Sequence, residues 1–450
     1  MKHKLIVVIL LSLLAGCSGA PATIIPVTAS LTGIPPTATE KPIVLPPLYT
    51  GTLELVELEN SSTFCDKAVS PFGLPAEGVL PLSFLPNRKC DDVNSDLDLF
   101  EIDNRLYVAQ RNARGFRLVD VTDPTQPTEI GAWELEPHAI QEHITTFRQF
   151  DHRYLAMPLE SPTPYGNFPC GLAIIEVTQP EAPVLMGRYD GKLLNSDVPL
   201  WCNVHAAEVD TDADGNATFL FLATLNTADL RVLDIRDLEN IREVNVFHQH
   251  IHPHGENGSW AHRAAIMGDR VYISYWGGGV MIVDKHGLEM GRPPEEIMFI
   301  QPGSIDPDGF VTHDSQPTAD GNFLFVNDMD RVSDGLRLFD IRDLSHPREI
   351  WKSNIDTETG QHTLQLRVDL LFVPWFREGL RIFRFNLSDP DHPIVEQIAF
   401  QSVRMPPYAS SDDGIGALRV HDCQVEGVVK TCVYASDEEK GLIILALDDD

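Results

Sequence analysis

The sequence predicts an all-β fold, a seven-bladed β-propeller of four-stranded blades. Three observations predict it. A short motif recurs seven times: Gly115–Asp120, Gly171–Glu176, Asp229–Asp234, Gly279–Asp284, Gly335–Asp340, Gly379–Arg384 and Gly441–Ala446. Each copy is a β-branched and aliphatic run opened by a turn residue, the signature of a buried strand. A second apolar or aromatic strand precedes most copies, as in Arg105–Ala109, Arg270–Ser274 and Asn322–Val326, and a turn, Pro-containing as in Asp123-Pro124 and Asp389-Pro390, follows most. Copies are spaced 44 to 62 residues apart with no helical periodicity between them, so the unit is a blade of four short strands and the excess length lies in loops.

The chain opens with Lys2 and Lys4, then an apolar run from Leu5 to Leu14 interrupted by Ser12. That pattern reads as a signal peptide over residues 1–16 and is too short for a membrane-spanning helix. Leu14-Ala15-Gly16-Cys17 resembles a bacterial lipobox, which implies lipidation of Cys17 and a membrane anchored through acyl chains. Residues 17–49 are rich in Pro and Thr with almost no charge and no aromatic core former before Tyr49, the composition of a tether. Residues 50–450 then hold the propeller. The last motif ends just before Asp450, which leaves the seventh blade without its outermost strand. Thr52–Leu58, alternating in its first half, is expected to fill that edge and close the ring.

With Cys17 set aside, six cysteines remain, an even number that fits an oxidising compartment. Neighbours are expected to pair: Cys65 with Cys90, Cys170 with Cys202, Cys423 with Cys432. There are 34 Lys+Arg against 66 Asp+Glu, a net charge of −32, and this balance excludes an electrostatic nucleic-acid binder.

These units resemble the LVIVD-repeat family of bacterial secreted and surface propellers, whose unit runs histidine, aromatic strand, Gly-Leu-x-Ile-Val-Asp and Pro-rich turn. The resemblance spans residues 50–450. Asp229 stands in place of the glycine in the third copy, and Arg384 and Ala446 replace the closing acid. What the resemblance implies is a cell-envelope propeller of undefined activity.

Upstream of the second strand six copies carry a histidine: His143, His205, His262, His313, His362 and His421, while the first carries Asp96-Leu-Asp98. The first strand of a propeller blade lines the central channel, so these imidazoles are expected at one channel mouth. There they are either repeated blade-to-blade hydrogen-bonding groups or ligands of a transition metal, with Asp314, Asp422 or Glu208 as carboxylate helpers. Two further stretches read as metal candidates. His248, His250, His252 and His254 alternate along a loop. Asp210, Asp212, Asp214 and Asn216 match the first half of a calcium loop, although Phe221 stands where an EF-hand would place its glutamate. Trp201, Trp260, Tyr275, Trp276 and Trp375 belong to blade core or to a binding surface at the mouth. The sequence lacks Gly-x-Ser-x-Gly, a P-loop and His-Glu-x-x-His. The expected function is therefore a non-catalytic, lipid-anchored, extracytoplasmic platform for a protein, peptide or glycan. The alternative is a metal-dependent enzyme, an oxidoreductase among the candidates, built on the channel-mouth histidines.

Overall fold

In the computed structural model each recurring motif becomes the third strand of an antiparallel sheet. The structure describes residues 52–448 apart from residues 59–64, 66–67, 89–95, 113, 140–141, 161–167, 192–200, 226, 249–259, 301–310, 330–334, 356–358 and 405–413. Residues 1–16 and 17–49, the expected signal peptide and tether, lie outside the described residues, as do Cys90, His250, His252 and His254. Seven sheets follow one another along the chain. Their inner strands are Leu97–Ile102, Thr145–Gln149, Val204–Thr211, Trp260–Met267, Thr312–Pro317, Gln365–Arg367 and Ile415–Val425. Inner strands of neighbouring blades pack together, with Asp314 accepting the Leu364 N–H across the boundary of the fifth and sixth blades, and the last packs against the first, so the ring is closed.

The apolar runs form buried strands because both faces of each sheet are covered. Seven hydrophobic clusters lie between the seven pairs of adjacent blades. One joins Phe116 and Trp133 of the first blade to Leu155 and Ile175 of the second. Another joins Leu97 and Val108 of the first blade to Tyr434 and Ile444 of the seventh. Strands buried on both faces read as continuous apolar runs in place of a two-residue alternation.

The glycine that opens the motif has a steric reason. At Gly379 φ is +94°, and a Cβ there would lie 1.9 Å from the Gln401 carbonyl oxygen of the outer strand. Gly441, at φ +137°, would meet the Leu85 carbonyl oxygen at 2.2 Å. Only a residue without a side chain fits both the backbone angle and the approach.

The motif's closing acid also has a local task. Asp120 Oδ1 accepts the Thr122 N–H at 2.9 Å, and Asp340 Oδ1 accepts the Arg342 N–H at 3.2 Å, each fixing the turn that follows. In the fourth copy Asp284 caps a five-residue helix, Lys285–Glu289, by accepting from the N–H groups of His286 and Gly287. In the sixth copy the acid is displaced by two residues: the strand runs Leu380–Asn386 and Asn386 Oδ1 accepts the Ser388 N–H. Arg384 therefore does not lose the turn contact. Asn386 supplies it from the same face of the strand.

Ring closure comes from the N-terminal side of the first blade, but the strand that closes it is not Thr52–Leu58. Val79–Pro86 pairs antiparallel with Gly441–Leu447 and forms the outermost strand of the seventh blade. Glu54–Glu57 lies instead on Thr128–Glu136, as a fifth strand of the first blade. Between them Ala76–Glu77 adds to Ile394–Gln401 of the sixth blade. The physical reason is apolar area. Val79–Pro86 brings Leu80, Leu82 and Leu85 to one interblade cluster and Val79 and Phe84 to the next. Three of the four residues of Glu54–Glu57 are exposed. Pro81 and Pro86, which interrupt a strand pattern in the sequence, are tolerated on an edge strand.

Cys170 is bonded to Cys202 and Cys423 to Cys432, as the sequence predicts. Cys65 is disulfide-bonded too, while its expected partner lies outside the described residues. The disulfides suggest an extracytoplasmic location. Among the described residues no helix is long and apolar enough to cross a membrane.

Candidate functional site

Five of the six predicted histidines meet at one end of the channel. Three of them arrive there through the same device. The register of the inner strand skips between Val204 and Ala206, between Ala261 and Arg263, and between Thr312 and Asp314. His205, His262 and His313 are the extra residues of these bulges, which re-aim a side chain out of the ladder. His143 and His362 stand just ahead of Thr145–Gln149 and Gln365–Arg367. The rings make a closed circuit. Centroid separations are 4.8 Å from His143 to His205, 4.2 Å on to His262, 4.3 Å to His313, 4.2 Å to His362 and 6.4 Å back to His143.

His421 does not join them. In the seventh blade the skip lies between Ile415 and Ala417, so the residue at the bulge is Gly416. His421 lies five residues further along the strand, half-exposed, with Nε2 3.4 Å from Glu101 Oε1 and Nδ1 2.7 Å from the Asp422 carbonyl. Gly416 still serves the ring, because its carbonyl oxygen accepts from His362 Nδ1 at 2.6 Å.

Each orienting hydrogen bond crosses a blade boundary. His143 Nδ1 lies 3.1 Å from Asp96 Oδ2 of the first blade, and His205 Nδ1 lies 2.6 Å from Glu160 Oε1 at the end of a second-blade strand. His262 Nδ1 donates to the His313 carbonyl at 3.0 Å. His313 is buried, 1% exposed, and among the described residues neither of its ring nitrogens has a hydrogen-bond partner. Burial holds the imidazoles of His143, His262 and His313 well below their ordinary range, and Arg263 adds to this; that of His362 is held at about 4 by the same two causes. These four rings are neutral at physiological pH.

A charged layer lines the channel past the ring. Arg419 Nε donates to Asp98 Oδ1 at 2.8 Å, and Asp98 also accepts the Thr146 N–H at 2.7 Å. Burial pushes the Glu208 carboxyl up to about 7, with Arg263 and Arg419 pulling the other way. The expected helpers turn out to be engaged elsewhere. Asp314 Oδ2 accepts the Leu364 N–H at 2.9 Å, and Asp422 pairs with Arg367 at 2.6 Å. The carboxylates that touch the imidazoles of this ring are Asp96 and Glu160. Asp96 was visible as the acid in the histidine's place in the first copy, whereas nothing in the sequence marks Glu160.

The remaining candidates fall into two groups. Trp201, Tyr275 and Trp375 are fully buried blade core. Trp260 and Trp276 stack in parallel, centroids 5.8 Å apart at 7°, and the Trp276 ring lies 5.0 Å from that of His262. His248 pairs with the buried Asp229. Within residues 210–216 two of the three carboxylates are already committed: Asp212 Oδ1 accepts the N–H groups of Asp214 and Asn216, both at 2.9 Å, and Asp210 accepts from Lys285 Nζ at 2.8 Å. The stretch is a hairpin turn organised by Asp212. The described group whose three ligand atoms all lie within 4.8 Å of one another is Glu134, Glu136 and His138, away from the imidazole ring.

The LVIVD repeat family model matches residues 103–134, which run from the first turn of the first blade to its outer strand. The first blade of this seven-bladed propeller therefore carries an LVIVD repeat. No curated protein sequence matches it significantly. Among solved structures, Sqt1 of Saccharomyces cerevisiae is similar over 82% of this chain and 100% of its own, with 9% identity and a TM-score of 0.54. A protein from Lactobacillus plantarum is similar over 72% of this chain and 87% of its own, with 12% identity and a TM-score of 0.51. At such identities the likeness is one of fold. It agrees with the ring described above and leaves the histidine mouth to be read from its own chemistry.

Proposed function

We propose that this LVIVD-repeat chain is a lipid-anchored propeller held outside the cytoplasm, and that its histidine-ringed channel mouth is a non-catalytic binding platform. The observation that carries this reading is the parallel Trp260–Trp276 pair beside His262. Stacked indoles next to neutral imidazoles offer apolar faces with polar edges, the surface that sugar rings and peptide side chains pack against. The Cys17 lipobox and the Pro/Thr-rich segment after it support display at a membrane surface.

Two measurements test it. Replacement Cys17→Ser is expected to move the protein from the membrane fraction to the soluble extracytoplasmic fraction; a protein that stays with the membrane overturns the anchor. Probing glycan and peptide arrays with the detergent-solubilised chain is expected to give hits that Trp276→Ala weakens about tenfold or more, equivalent to 1.4 kcal/mol or more. Hits indifferent to Trp276, or none, overturn the platform at this mouth.

A further inference from the structure

Two imidazole nitrogens face each other at the mouth. His143 Nε2 lies 3.3 Å from His205 Nε2, and the two rings meet edge to face at 82°. The other nitrogen of each ring is committed: His143 Nδ1 to Asp96 Oδ2 and His205 Nδ1 to Glu160 Oε1. A carboxylate oxygen facing a ring nitrogen accepts, so each Nδ1 is the donor, and with one proton per ring each Nε2 presents its lone pair. Two lone pairs at this distance repel, and what joins them is an electron-pair acceptor between the rings.

The separation says which kind. Metal–imidazole bonds of about 2.0–2.1 Å at a tetrahedral angle put two ligand nitrogens roughly 3.3–3.4 Å apart. A carboxylate behind each imidazole is the usual outer partner of a metal-bound histidine, fixing its tautomer and raising its basicity. His262 is the nearest further ring, 4.2 Å from His205 between centroids, and its Nδ1 also donates, to the His313 carbonyl, which leaves Nε2 as a donor of electrons.

We propose that His143 and His205 bind one divalent transition-metal ion of the zinc class, that His262 turns in as third ligand, and that Asp96 and Glu160 position the first two. This site rests on the reading of the mouth as the binding centre and names its occupant.

The test uses the full chain, solubilised in detergent without a polyhistidine tag, stripped with chelator and titrated with Co(II). One equivalent with the visible bands of tetrahedral cobalt, displaced by Zn(II), is the expected result. His143→Ala and His205→Ala are expected to abolish those bands, His421→Ala to keep them, and Asp96→Asn or Glu160→Gln to weaken binding about 10–100-fold. Since ring variants risk misfolding, X-ray absorption on the zinc-loaded unmutated chain gives an independent count. At least two imidazoles support the site. One imidazole with carboxylate oxygens overturns it, because that sphere belongs to Glu134, Glu136 and His138. No binding, or binding that survives both alanine variants, also overturns it, and identifies the 3.3 Å contact as a shared proton. Array hits retained by the stripped chain, with no metal bound on reloading, would overturn the metal and leave the platform standing. Tetrahedral cobalt without any array hit would do the reverse.

Discussion

Glu208 stands three residues past His205 on the same inner strand, and its proton is the most pH-sensitive feature of the channel wall. Its carboxyl is raised from 4.5 to about 7, chiefly by desolvation. Between those two pH values the folded chain holds a proton that the unfolded chain has released, so stability contributed by this group falls as pH rises through the window. Thermal melts from pH 4.5 to 7 are expected to show a shallower decline for Glu208→Gln. Because the side chain keeps some contact with solvent, the difference should be on the order of 1 kcal/mol. A variant whose melting temperature follows the same pH curve as the parent would exclude this assignment. Asp340 is the opposite case. Hydrogen bonds from Arg342 and Arg348 hold its carboxyl at about 2 against an ordinary 3.8. Its contribution is present above pH 4 and disappears as pH falls through 2. Asp340→Ala removes the turn contact as well as the charge, and urea unfolding at pH 7 should show a loss of about 1 kcal/mol. The same loss at Asn386→Ala, and none at Arg384→Ala, would establish that the sixth copy moves its turn residue by two positions.

At the scale of the element, closure depends on Val79–Pro86 and not on Glu54–Glu57. Removing residues up to Leu58 takes away one short, exposed edge strand, and the melting temperature is expected to change by no more than a few degrees. Removing residues up to Pro86 uncovers Gly441–Leu447, whose residues are all buried, and exposes an apolar edge that templates association. Light scattering after purification distinguishes the two truncations: the shorter stays monodisperse and the longer aggregates. This is also where the sequence was hardest to read. The seven motif strands were legible because interblade burial on both faces leaves a long apolar run and, in six of them, a glycine opens the strand where it approaches the outer one. The closing strand carries Pro81 and Pro86, and the absence of a partner nearby in sequence hides its register, which is set by Gly441–Leu447 more than 350 residues away. The histidine positions were legible as a repeat, yet whether each reaches the axis depends on the bulge. Where the bulge residue is Gly416, the spacing alone points to His421, which faces outward.

For the whole molecule, stability is distributed round a ring of seven interfaces with no central core, so it is only as good as its junctions. The N-terminal segment crosses the closure on the outside and pairs with the first, sixth and seventh blades. Disulfides act on this ring unequally, and the difference follows from what they cross-link. Cys423 and Cys432 lie 9 residues apart on the two arms of one hairpin, where the ladder from Ile415 to Val425 has already closed the loop. Cys170 and Cys202 lie 32 residues apart, joining the second blade to the segment that leads into the third, three residues ahead of His205. In the chain-entropy account a loop of that length contributes about 3–4 kcal/mol, and no hairpin duplicates its constraint. Paired replacement Cys170→Ser with Cys202→Ser should therefore lower the melting temperature by several degrees, while Cys423→Ser with Cys432→Ser should lower it by much less. Calorimetry of both variants, each beside the parent under oxidising and reducing conditions, orders the two effects. A larger drop for the hairpin pair would mean that the second-to-third blade junction is held by packing alone. In that case the strand bearing His205 would keep its place without the covalent tie, and the orientation of the imidazole ring would owe nothing to the oxidising compartment.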